Sequence, residues 1–458
     1  MGKKLDFEYI IIGSGPAGGT AALTLAKAHK KVGLIEGKKF GGSNINTRNI
    51  PYIASHKLSR TFCNSQNGAK FGFSNLDSHY NFLSANSWRD KILAKISDDA
   101  KKEFEDAGVT CIAGYANLLD PNTVAVGDKK YTAARIILAT GARPTDGGIT
   151  GAENVDVLTP ETALKLKRFP KAVAVVGAGA SGCEIAEYFS EIGTKVLIFE
   201  MAERILPRED KDVGDALLSY FKNELGIMVL PDSRVVAVEQ DSLSKRVIFM
   251  NGGRERMVRV DTIVLATGSK PTLDYGLENA GVKFKNSGVI VNKTLQTSAK
   301  NIYAIGDILG GESSSERANY QAMFLVNNLI SRNKNVLSYS GFPRIAKTYP
   351  EIAVVGLTED DLTKRDKKCR KAVVKLADTA AGKVDNDNYS FVKLIADHND
   401  KIIGATIVAP NAEAMIGELT LAVRYHLSAL ELASTPHTME SANIAIKLAA
   451  KQLIRKKK

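Results

Sequence analysis

The stretch Tyr9-Ile-Ile-Ile-Gly-Ser-Gly-Pro-Ala-Gly18 joins an apolar run to a glycine turn, and Ala21–Ala28 then has the composition of a helix. A second apolar run, Val32–Ile35, follows and ends in Glu36. The glycines suit a tight turn, a close approach of the backbone to a pyrophosphate, and close packing of helix on strand. The segment therefore predicts a dinucleotide-binding unit, with phosphates at the helix N-terminus and a ribose at the acid.

The same pattern returns later in the chain, where Val173–Val176 leads into Gly177-Ala-Gly-Ala-Ser-Gly182. A predicted helix over Ile185–Ile192 and a predicted strand over Val196–Phe199 follow, and this unit ends in Glu200. One such glycine pattern is weak evidence, because ordinary turns between strand and helix can match it. Two copies, each with strand, helix and terminal acid at the same spacing, predict two dinucleotide-binding units.

A second repeated segment closes each unit. Arg135-Ile-Ile-Leu-Ala-Thr-Gly-Ala-Arg-Pro144 matches Thr262-Ile-Val-Leu-Ala-Thr-Gly-Ser-Lys-Pro271, and each is a predicted strand that stops at Ala-Thr-Gly. Antiparallel strands are predicted before both segments, within residues 123–132 and 235–250. Another strand, Asn301-Ile-Tyr-Ala-Ile-Gly-Asp307, places a carboxylate at the carboxyl end of a sheet, where α/β folds bind ligands.

The composition of the 458-residue chain, with 44% hydrophobic and 24% charged residues, is typical of a globular protein. No apolar run approaches the roughly 20 residues of a membrane-spanning helix, and no signal peptide is evident, so we expect a cytoplasmic protein. The cysteines form no C-x-x-C pair, which argues against a disulfide framework or a cysteine zinc site. We expect Cys63, Cys111, Cys183 and Cys369 to be reduced thiols of the interior.

The net charge is +12, and six basic residues lie between Ala442 and Lys458, a segment without an acid. Basic excess can indicate nucleic acid or an anionic membrane surface as a partner. No nucleic-acid-binding motif accompanies the charge, so we expect no nucleic acid and attribute the charge to solubility. An alternative is a membrane-surface contact through this tail, because Lys447, Lys451 and Arg455 share one face of a predicted amphipathic helix.

The paired glycine turns, the paired Ala-Thr-Gly segments and Tyr303-Ala-Ile-Gly-Asp307 resemble the pyridine nucleotide–disulfide oxidoreductases, a family of flavoproteins with two dinucleotide folds. Tyr349-Pro-Glu-Ile-Ala-Val-Val-Gly356 is similar to the opening of that family's dimerisation domain. The resemblance implies an α/β fold with two doubly wound, Rossmann-like domains, a C-terminal α+β dimerisation domain, and a homodimer. The implied segments are 1–148 for FAD binding, 149–270 for NAD(P) binding, 271–338 for the second part of the FAD domain, and 339–458 for dimerisation.

The resemblance implies FAD on the first unit and NAD on the second, with NADP less favoured because the Glu200 carboxylate would repel a 2′-phosphate. Arg204, four residues further on, could weaken that preference. Glu184 would lie near the nicotinamide, or would serve only as an acid in the first helical turn. The implied FAD residues are Gly13, Gly15, Pro16, Ala17, Gly18, Glu36, Gly42, Ser43, Ala116, Thr140, Gly141, Gly306, Asp307 and Ala318. The implied NAD residues are Gly177, Gly179, Ser181, Gly182, Glu184, Glu200 and Gly268.

The chain departs from the family where the redox-active cysteines would stand. The family has Gly-Gly-Thr-Cys, four residues, a second Cys and then Ile-Pro-Ser-Lys, whereas this sequence has Gly41-Gly-Ser-Asn-Ile-Asn-Thr-Arg-Asn-Ile-Pro-Tyr-Ile53. Asn44 and Asn49 therefore take the cysteine positions, and Ile53 takes the lysine position. Because a carboxamide cannot form a thiolate, these positions cannot carry out dithiol chemistry.

The C-terminal motif of the family has also lost its reactive residues in this sequence. The family has His-Pro-Thr with a Glu five residues after the His, and here Pro436 and Ser441 take those two positions. His437 and Glu440 are close in sequence, but a shift of one residue turns a side chain by about 100° on a helix. Since the His would handle a thiol proton, its loss is consistent with the loss of the cysteines.

We therefore predict an FAD-dependent NADH oxidoreductase that passes electrons to a small molecule other than a disulfide. A quinone, a second nicotinamide nucleotide, oxygen and a small electron carrier all remain possible acceptors. Two alternatives are a flavin-bound sensor or partner-binding module with little turnover, and a membrane-peripheral NADH dehydrogenase that reduces quinones. The cofactors would carry the chemistry and the protein would position them, so no catalytic side chain is assigned.

Overall fold

The computed structural model describes residues 5–68, 72–73, 79–241, 244–331, 335–339 and 341–454. Its strands are β1 (Phe7–Ile12), β2 (Val32–Glu36), β3 (Thr110–Ala113), β4 (Ala116–Asp120), β5 (Thr123–Val126), β6 (Lys129–Leu138), β7 (Ala142–Pro144), β8 (Ala172–Val176), β9 (Lys195–Phe199), β10 (Met228–Leu230), β11 (Ser233–Gln240), β12 (Lys245–Asn251), β13 (Arg254–Val260), β14 (Thr262–Leu265), β15 (Ser269–Pro271), β16 (Phe284–Lys285), β17 (Gly288–Val289), β18 (Ile302–Ala304), β19 (Pro343–Ala346), β20 (Glu351–Gly356), β21 (Arg370–Lys375), β22 (Phe391–Ala396) and β23 (Ile402–Ala409). Its helices are α1 (Pro16–Lys27), α2 (Gly42–Asn46), α3 (Asn49–Gln66), α4 (Phe82–Asp106), α5 (Pro160–Ala163), α6 (Ala180–Glu191), α7 (Lys211–Asn223), α8 (Ser315–Ser331), α9 (Glu359–Lys364), α10 (Ala380–Asp385), α11 (Ala412–Arg424), α12 (Ala429–Ser434) and α13 (Ile444–Leu453).

The first sheet has a parallel core in which β1 lies between β2 and β6. Every residue of β1 except Glu8 is buried, as expected of a strand covered on both faces. Helix α1 begins at Pro16, earlier than predicted, because proline is well tolerated in the first turn of a helix. The fully buried Ala21 and Leu25 of α1 belong to the same apolar cluster as Ala322 of α8.

Strand β18 belongs to this sheet although the whole second unit precedes it in the chain. It pairs in parallel with β6, with Ile302 opposite Ile136. The carboxyl ends of β1, β2 and β18 therefore meet at one edge of the sheet. Glu36 is the last residue of β2, Gly13 directly follows β1, and Gly306 follows β18 by two residues, so all three lie at that edge.

The second unit has a parallel sheet in the order β10-β9-β8-β14. An antiparallel sheet of β11, β12 and β13 belongs to the same unit, and Val247 and Phe249 of β12 join Phe199 of the parallel sheet in one apolar cluster. Strand β13 was not predicted, because its sequence Arg254-Glu-Arg-Met-Val-Arg-Val260 is mostly charged and mostly exposed. Its register against β12 places it at the edge of the three-stranded sheet.

The C-terminal unit is a five-stranded antiparallel sheet in the order β19-β20-β23-β22-β21, with α11 and α13 in its apolar core. Ile446 and Leu453 of α13 are buried there, so the apolar side of this helix packs within the chain. Lys447 donates a hydrogen bond to the Thr435 carbonyl. Arg455, the third member of the predicted basic face, lies outside the described residues, as do residues 456–458.

A buried lysine joins the second unit to the C-terminal unit. The side chain of Lys393, in β22, is fully buried, and its Nζ lies 2.7 Å from Asp210 and 2.8 Å from Asp212. Glu359, at the start of α9, is its third carboxylate partner at 3.0 Å. Because a buried charge needs partners, this cluster fixes the two units against each other.

Within the described residues, we find no helix with both the length and the apolar composition needed to span a bilayer. The cytoplasmic location and the absence of a nucleic-acid partner stay predictions.

Candidate functional site

A cavity of about 1590 Å³ lies along the edge where β1, β2 and β18 end. Its wall includes nearly all residues that the sequence assigned to FAD, namely Gly13, Gly15, Pro16, Ala17, Glu36, Gly42, Ser43, Ala116, Thr140, Gly141, Gly306, Asp307 and Ala318. Gly18 alone of that set lies behind the wall. A Cβ on Gly18 would stand 1.8 Å from the Gly13 carbonyl oxygen, so this glycine serves helix packing and does not face a ligand.

The glycine turn before α1 fits a pyrophosphate. Gly13 has φ +102°, and a Cβ there would lie 2.3 Å from the Ala139 carbonyl oxygen. Gly42 has φ +64°, and its Cβ would lie 2.5 Å from the Gly15 Cα. The N-cap of α1 is Gly15, which offers no side chain to the first-turn N–H groups. These N–H groups are the donors that bind phosphate at a helix N-terminus.

The carboxylate of Glu36 is fixed at the end of β2. One oxygen accepts hydrogen bonds from the Ser14 N–H at 2.9 Å and the Ser14 hydroxyl at 2.6 Å, and the other accepts one from the Lys38 N–H at 2.9 Å. Tyr115 and Lys39 line the same part of the cavity, and sequence reasoning did not single them out. A held carboxylate beside an exposed aromatic ring fits an adenosine ribose and its base.

At another part of the wall, the two cysteine-equivalent positions are joined by a serine. The Ser315 hydroxyl donates a hydrogen bond to Asn44 Oδ1 at 2.8 Å and accepts one from Asn49 Nδ2 at 3.1 Å. We call Asn44, Ser315 and Asn49 the amide bridge. All three residues line the cavity. Sequence reasoning found both asparagines but missed Ser315, which is remote in sequence and carries no motif.

Arg48 was also missed, and it connects three segments at the cavity. Its Nε donates to Glu161 at 2.5 Å, and one terminal nitrogen donates to the Ser269 hydroxyl at 3.1 Å. The other terminal nitrogen lies 3.5 Å from the Asp307 carboxylate. Burial raises the pKa of Asp307, and the Arg48 charge opposes that shift. Arg48 therefore supports an ionised Asp307 in the wall.

The second glycine turn has the same construction. Gly177 has φ +100°, and a Cβ there would lie 2.6 Å from the Ala266 carbonyl oxygen. Gly179 is the N-cap of α6 and offers no capping side chain. A Cβ on Gly182 would stand 1.9 Å from the Gly177 oxygen, so the third glycine again serves packing. Ser181 and Gly268 are exposed on this side of the unit.

Glu200 is held at the end of β9 in the way that Glu36 is held at the end of β2. Its two oxygens accept hydrogen bonds from the Ala178 N–H at 2.7 Å and the Ala202 N–H at 2.8 Å. The Arg204 guanidinium is engaged elsewhere, 2.5 Å from Asp360 and 3.2 Å from the Glu209 carbonyl. Arg204 thus takes part in the contact with the C-terminal unit.

Glu184 lies early in α6 and outside the wall of the FAD cavity. One carboxylate oxygen accepts a hydrogen bond from the Lys347 N–H at 2.8 Å. Burial raises the pKa of Glu184 to about 7. Its place near the nicotinamide stays a prediction.

The C-terminal positions lie in the segment after α12. Pro436 is exposed, and Ser441 donates a hydrogen bond to the Thr438 carbonyl. The side chain of His437 is only 3% exposed and lies 2.9 Å from Glu418 of α11 in the same chain. The shift of one residue thus directs this histidine into its own unit.

None of the four cysteines lies on the wall of the FAD cavity, as far as the described residues define it. Cys63 shares helix α3 with Asn49 but lies about 21 Å further along the axis, at 1.5 Å per residue. Burial raises its pKa, and it raises that of Cys183 further still. Both shifts disfavour a reactive thiolate.

Comparison with known proteins gives the family. The model of the pyridine nucleotide-disulphide oxidoreductases matches residues 7–323, and the model of their dimerisation domain matches residues 342–450. The chain therefore belongs to this family of FAD-dependent NAD(P)H oxidoreductases. The predictions of family, fold class, FAD and NAD(P)H are confirmed, and the dimerisation domain supports a homodimer.

Particular relatives cover almost the whole chain. It is 30% identical to a mercuric reductase of Lysinibacillus sphaericus over 97% of this chain and 82% of the relative. It is 30% identical to a dihydrolipoyl dehydrogenase of Staphylococcus aureus over 96% of this chain and 97% of the relative. The HOCl-induced flavoprotein disulfide reductase RclA from Escherichia coli, solved as a Cu(II) complex, superposes with a TM-score of 0.88 at 23% identity, covering 98% of this chain and 100% of that chain. LpdA from Mycobacterium tuberculosis superposes with a TM-score of 0.87 at 24% identity, covering 98% and 100%.

Proposed function

We propose that this protein uses NADH to reduce its FAD and then passes the electrons to a small acceptor that is not a disulfide. The relatives are named for mercuric ion and for the dihydrolipoyl group, and we propose that this chain acts on neither. The observation that carries the proposal is the amide bridge of Asn44, Ser315 and Asn49 in the wall of the cavity.

The amide bridge supports this proposal through its chemistry. A carboxamide neither ionises nor exchanges with a disulfide in the physiological range, so it cannot relay two electrons as a dithiol does. Its amide groups can instead donate and accept hydrogen bonds. The bridge uses Oδ1 of Asn44 and Nδ2 of Asn49, and each amide keeps its other polar atom for a bound molecule. An acceptor with a carbonyl oxygen, such as a quinone, suits these groups.

Other residues of the chain would bind and orient the cofactors. The N–H groups at the start of α1 would bind the FAD pyrophosphate, and Glu36 would bind the adenosine ribose. Asp307, held against Arg48, would accept hydrogen bonds from the ribityl chain. When bound, FAD would take hydride from NADH and release the electrons to the acceptor. Without a dithiol there is no thiol proton to transfer, so the positions of Pro436 and Ser441 need no acid or base.

The same argument extends to the choice of nicotinamide nucleotide. Glu200 stands where a ribose 2′-hydroxyl would hydrogen-bond and where a 2′-phosphate would meet a negative charge. Arg204, the cation that could have offset this repulsion, is paired with Asp360. We therefore propose NADH as the preferred donor.

Stopped-flow spectroscopy tests the proposal directly. The FAD-loaded protein is reduced with NADH without oxygen and is then mixed with quinones, NADP, oxygen, lipoamide, glutathione disulfide or mercuric ion. We expect rapid reoxidation by at least one non-disulfide acceptor and none above background by the last three. Reoxidation by lipoamide or glutathione disulfide would overturn the proposal. Slow reoxidation by every compound would instead favour a sensor or binding module.

A further inference from the structure

Away from the flavin cavity, helices α3 and α6 place a second set of polar side chains between the first and second units. Glu187 and Glu191 lie on one face of α6, one turn apart, and their side chains are fully buried. His56 and Ser59 lie on the facing side of α3. The Ser59 hydroxyl donates to a Glu191 oxygen at 2.5 Å. The proposed hydride transfer uses none of these four residues.

The ring of His56 is half-buried, but one of its nitrogens is fully enclosed. Its Nε2 is inaccessible to solvent and has no hydrogen-bond partner among the described residues. That nitrogen lies 3.8 Å from Glu187 Oε1 and 3.8 Å from Glu191 Oε2. A distance of 3.8 Å is too long for a hydrogen bond. Two atoms at that separation can, however, both lie about 2.1 Å from one metal ion. The ligand atoms of all three residues fall within 4.8 Å of one another.

The charges of this region also favour a bound cation. Glu187 and Glu191 place two fully buried carboxylates one turn apart, and among the described residues the Arg60 guanidinium contacts one of them, 3.0 Å from Glu191 Oε1. Arg60 also donates to the Tyr220 hydroxyl at 2.7 Å, which fixes it on one side of Glu191. A buried carboxylate without a counter-charge is costly, and a divalent ion between Glu187 and Glu191 would supply that charge.

We propose that His56, Glu187 and Glu191 bind one divalent transition-metal ion, with the Ser59 hydroxyl or a water as a further ligand. One imidazole nitrogen and carboxylate oxygens are ligands that Zn²⁺ accepts, whereas Mg²⁺ and Ca²⁺ prefer oxygen alone. The ion would join α3 to α6 and so would fix the first unit against the second. This inference does not depend on the identity of the electron acceptor.

A second carboxylate cluster in the molecule provides the contrast. Asp210, Asp212 and Glu359 also bring their oxygens within metal-binding distance of one another. There the Lys393 ammonium lies 2.7 to 3.0 Å from all three carboxylates. The chain supplies the cation for that cluster, whereas no cation from the described part of the chain lies between His56, Glu187 and Glu191.

Zinc binding to the full-length, FAD-loaded protein tests the inference. The protein is treated with a chelator, titrated with Zn²⁺ by calorimetry, and analysed for metal by mass spectrometry after dialysis. We expect one zinc per chain in the wild type. The substitution His56→Gln should weaken zinc affinity at least about 100-fold, since removal of even an outer-shell partner costs 10–100-fold. The matched control Asp212→Asn, in the cluster that holds Lys393, should bind zinc as the wild type does.

The site itself is located by anomalous scattering at the zinc edge from wild-type crystals. A peak among His56, Glu187 and Glu191 is expected. Should His56→Gln fail to fold, this peak and the zinc affinity of Glu187→Gln decide the question. The inference is overturned if the reloaded wild type retains no zinc, if the peak lies elsewhere, or if His56→Gln binds zinc as tightly as Asp212→Asn.

Discussion

The wall of the flavin cavity has two regions that are built on different principles. Around Gly13 and Gly42, the features suited to binding the cofactor belong to the backbone. The turns have positive φ, the N–H groups at the start of α1 are uncapped, and neighbouring atoms lie too close to allow a Cβ. Around Asn44 and Asn49, the polar groups belong to side chains, which hydrogen-bond through Ser315. The backbone region has every glycine of the family's phosphate-binding turn, whereas the side-chain region has amides where the family has thiols. We therefore expect cofactor binding and electron transfer to the acceptor to be separable by mutation, as the following predictions test.

The largest effect is expected in the backbone region. Gly13→Ala should yield protein that retains little or no FAD, because a Cβ would lie 2.3 Å from the Ala139 carbonyl oxygen and φ is +102°. Flavin absorbance relative to protein absorbance measures this loss. Gly417→Ala, a helical position with open space around it, should keep full flavin content. Normal flavin content in Gly13→Ala would show that the turn does not bind the cofactor.

Substitution of both asparagines of the side-chain region should leave FAD binding intact but should not produce the disulfide reduction that is typical of the family. The double variant Asn44→Cys/Asn49→Cys should bind FAD but remain at least about 100-fold below a disulfide reductase, because no base handles the thiol proton, a contribution of about 10²–10⁴ in rate. The rate of lipoamide-dependent NADH oxidation measures the disulfide reductase activity of the double variant.

The wild type supplies the reference for that experiment. Its reduction by NADH should show no long-wavelength absorbance from charge transfer between a thiolate and the flavin, and thiol alkylation should leave NADH-driven dye reduction largely intact. Loss of turnover on alkylation, with FAD and fold retained, would mean that a cysteine takes part after all.

A smaller effect is expected at the acid of the second unit. Glu200→Ala should narrow the preference for NADH over NADPH by about tenfold, which corresponds to about 1.4 kcal/mol. The ratio of kcat/KM for the two nucleotides measures it. The exposed neighbour Glu203→Ala serves as the control and should leave the ratio unchanged. An unchanged ratio in Glu200→Ala would place the carboxylate away from the ribose.

The smallest effect is expected from the amide bridge alone. Ser315→Ala removes two hydrogen bonds, each worth about 0.5–1.5 kcal/mol, so Tm should fall by a few degrees while flavin content stays normal. Acceptor KM should rise with little change in the rate of reduction by NADH. The exposed Ser219→Ala is the control for loss of a hydroxyl. Loss of FAD from Ser315→Ala would contradict the separation of the two regions.

The backbone region of the cavity wall could be predicted from the sequence, whereas the hydrogen bonds of the side-chain region could not. The glycine turns were readable because their geometry is set by neighbouring residues, and Gly13 and Gly177 occupy equivalent places. Gly18 was assigned to the ligand, although its close packing on Gly13 is the reason for a glycine there. Ser315 was not readable, because its partner Asn49 is 266 residues away in sequence. Hydrogen bonds between distant segments leave no local pattern.

Glu187 and Glu191 of α6 were missed for another reason. Glu184, Glu187 and Glu191 recur at helical spacing, a pattern that also marks a solvent-exposed helix face. The packing of α3 and of the segment from Lys347 to Tyr349 covers that face, and nothing in α6 itself indicates it. Burial of a polar face depends on tertiary structure, so a single sequence does not reveal it.

The pairing of Ile302–Ala304 with Ile136–Leu138 has a consequence for how the chain is made. When the ribosome has synthesised β14, every strand of the second parallel sheet has been translated, but the first sheet still lacks β18 and the helix α8 that packs on α1. Asp307 and Ala318 also reach the nascent chain only at that later point. The nicotinamide unit can thus be assembled during translation before the flavin site has all its walls, and flavin capture belongs to the last third of synthesis.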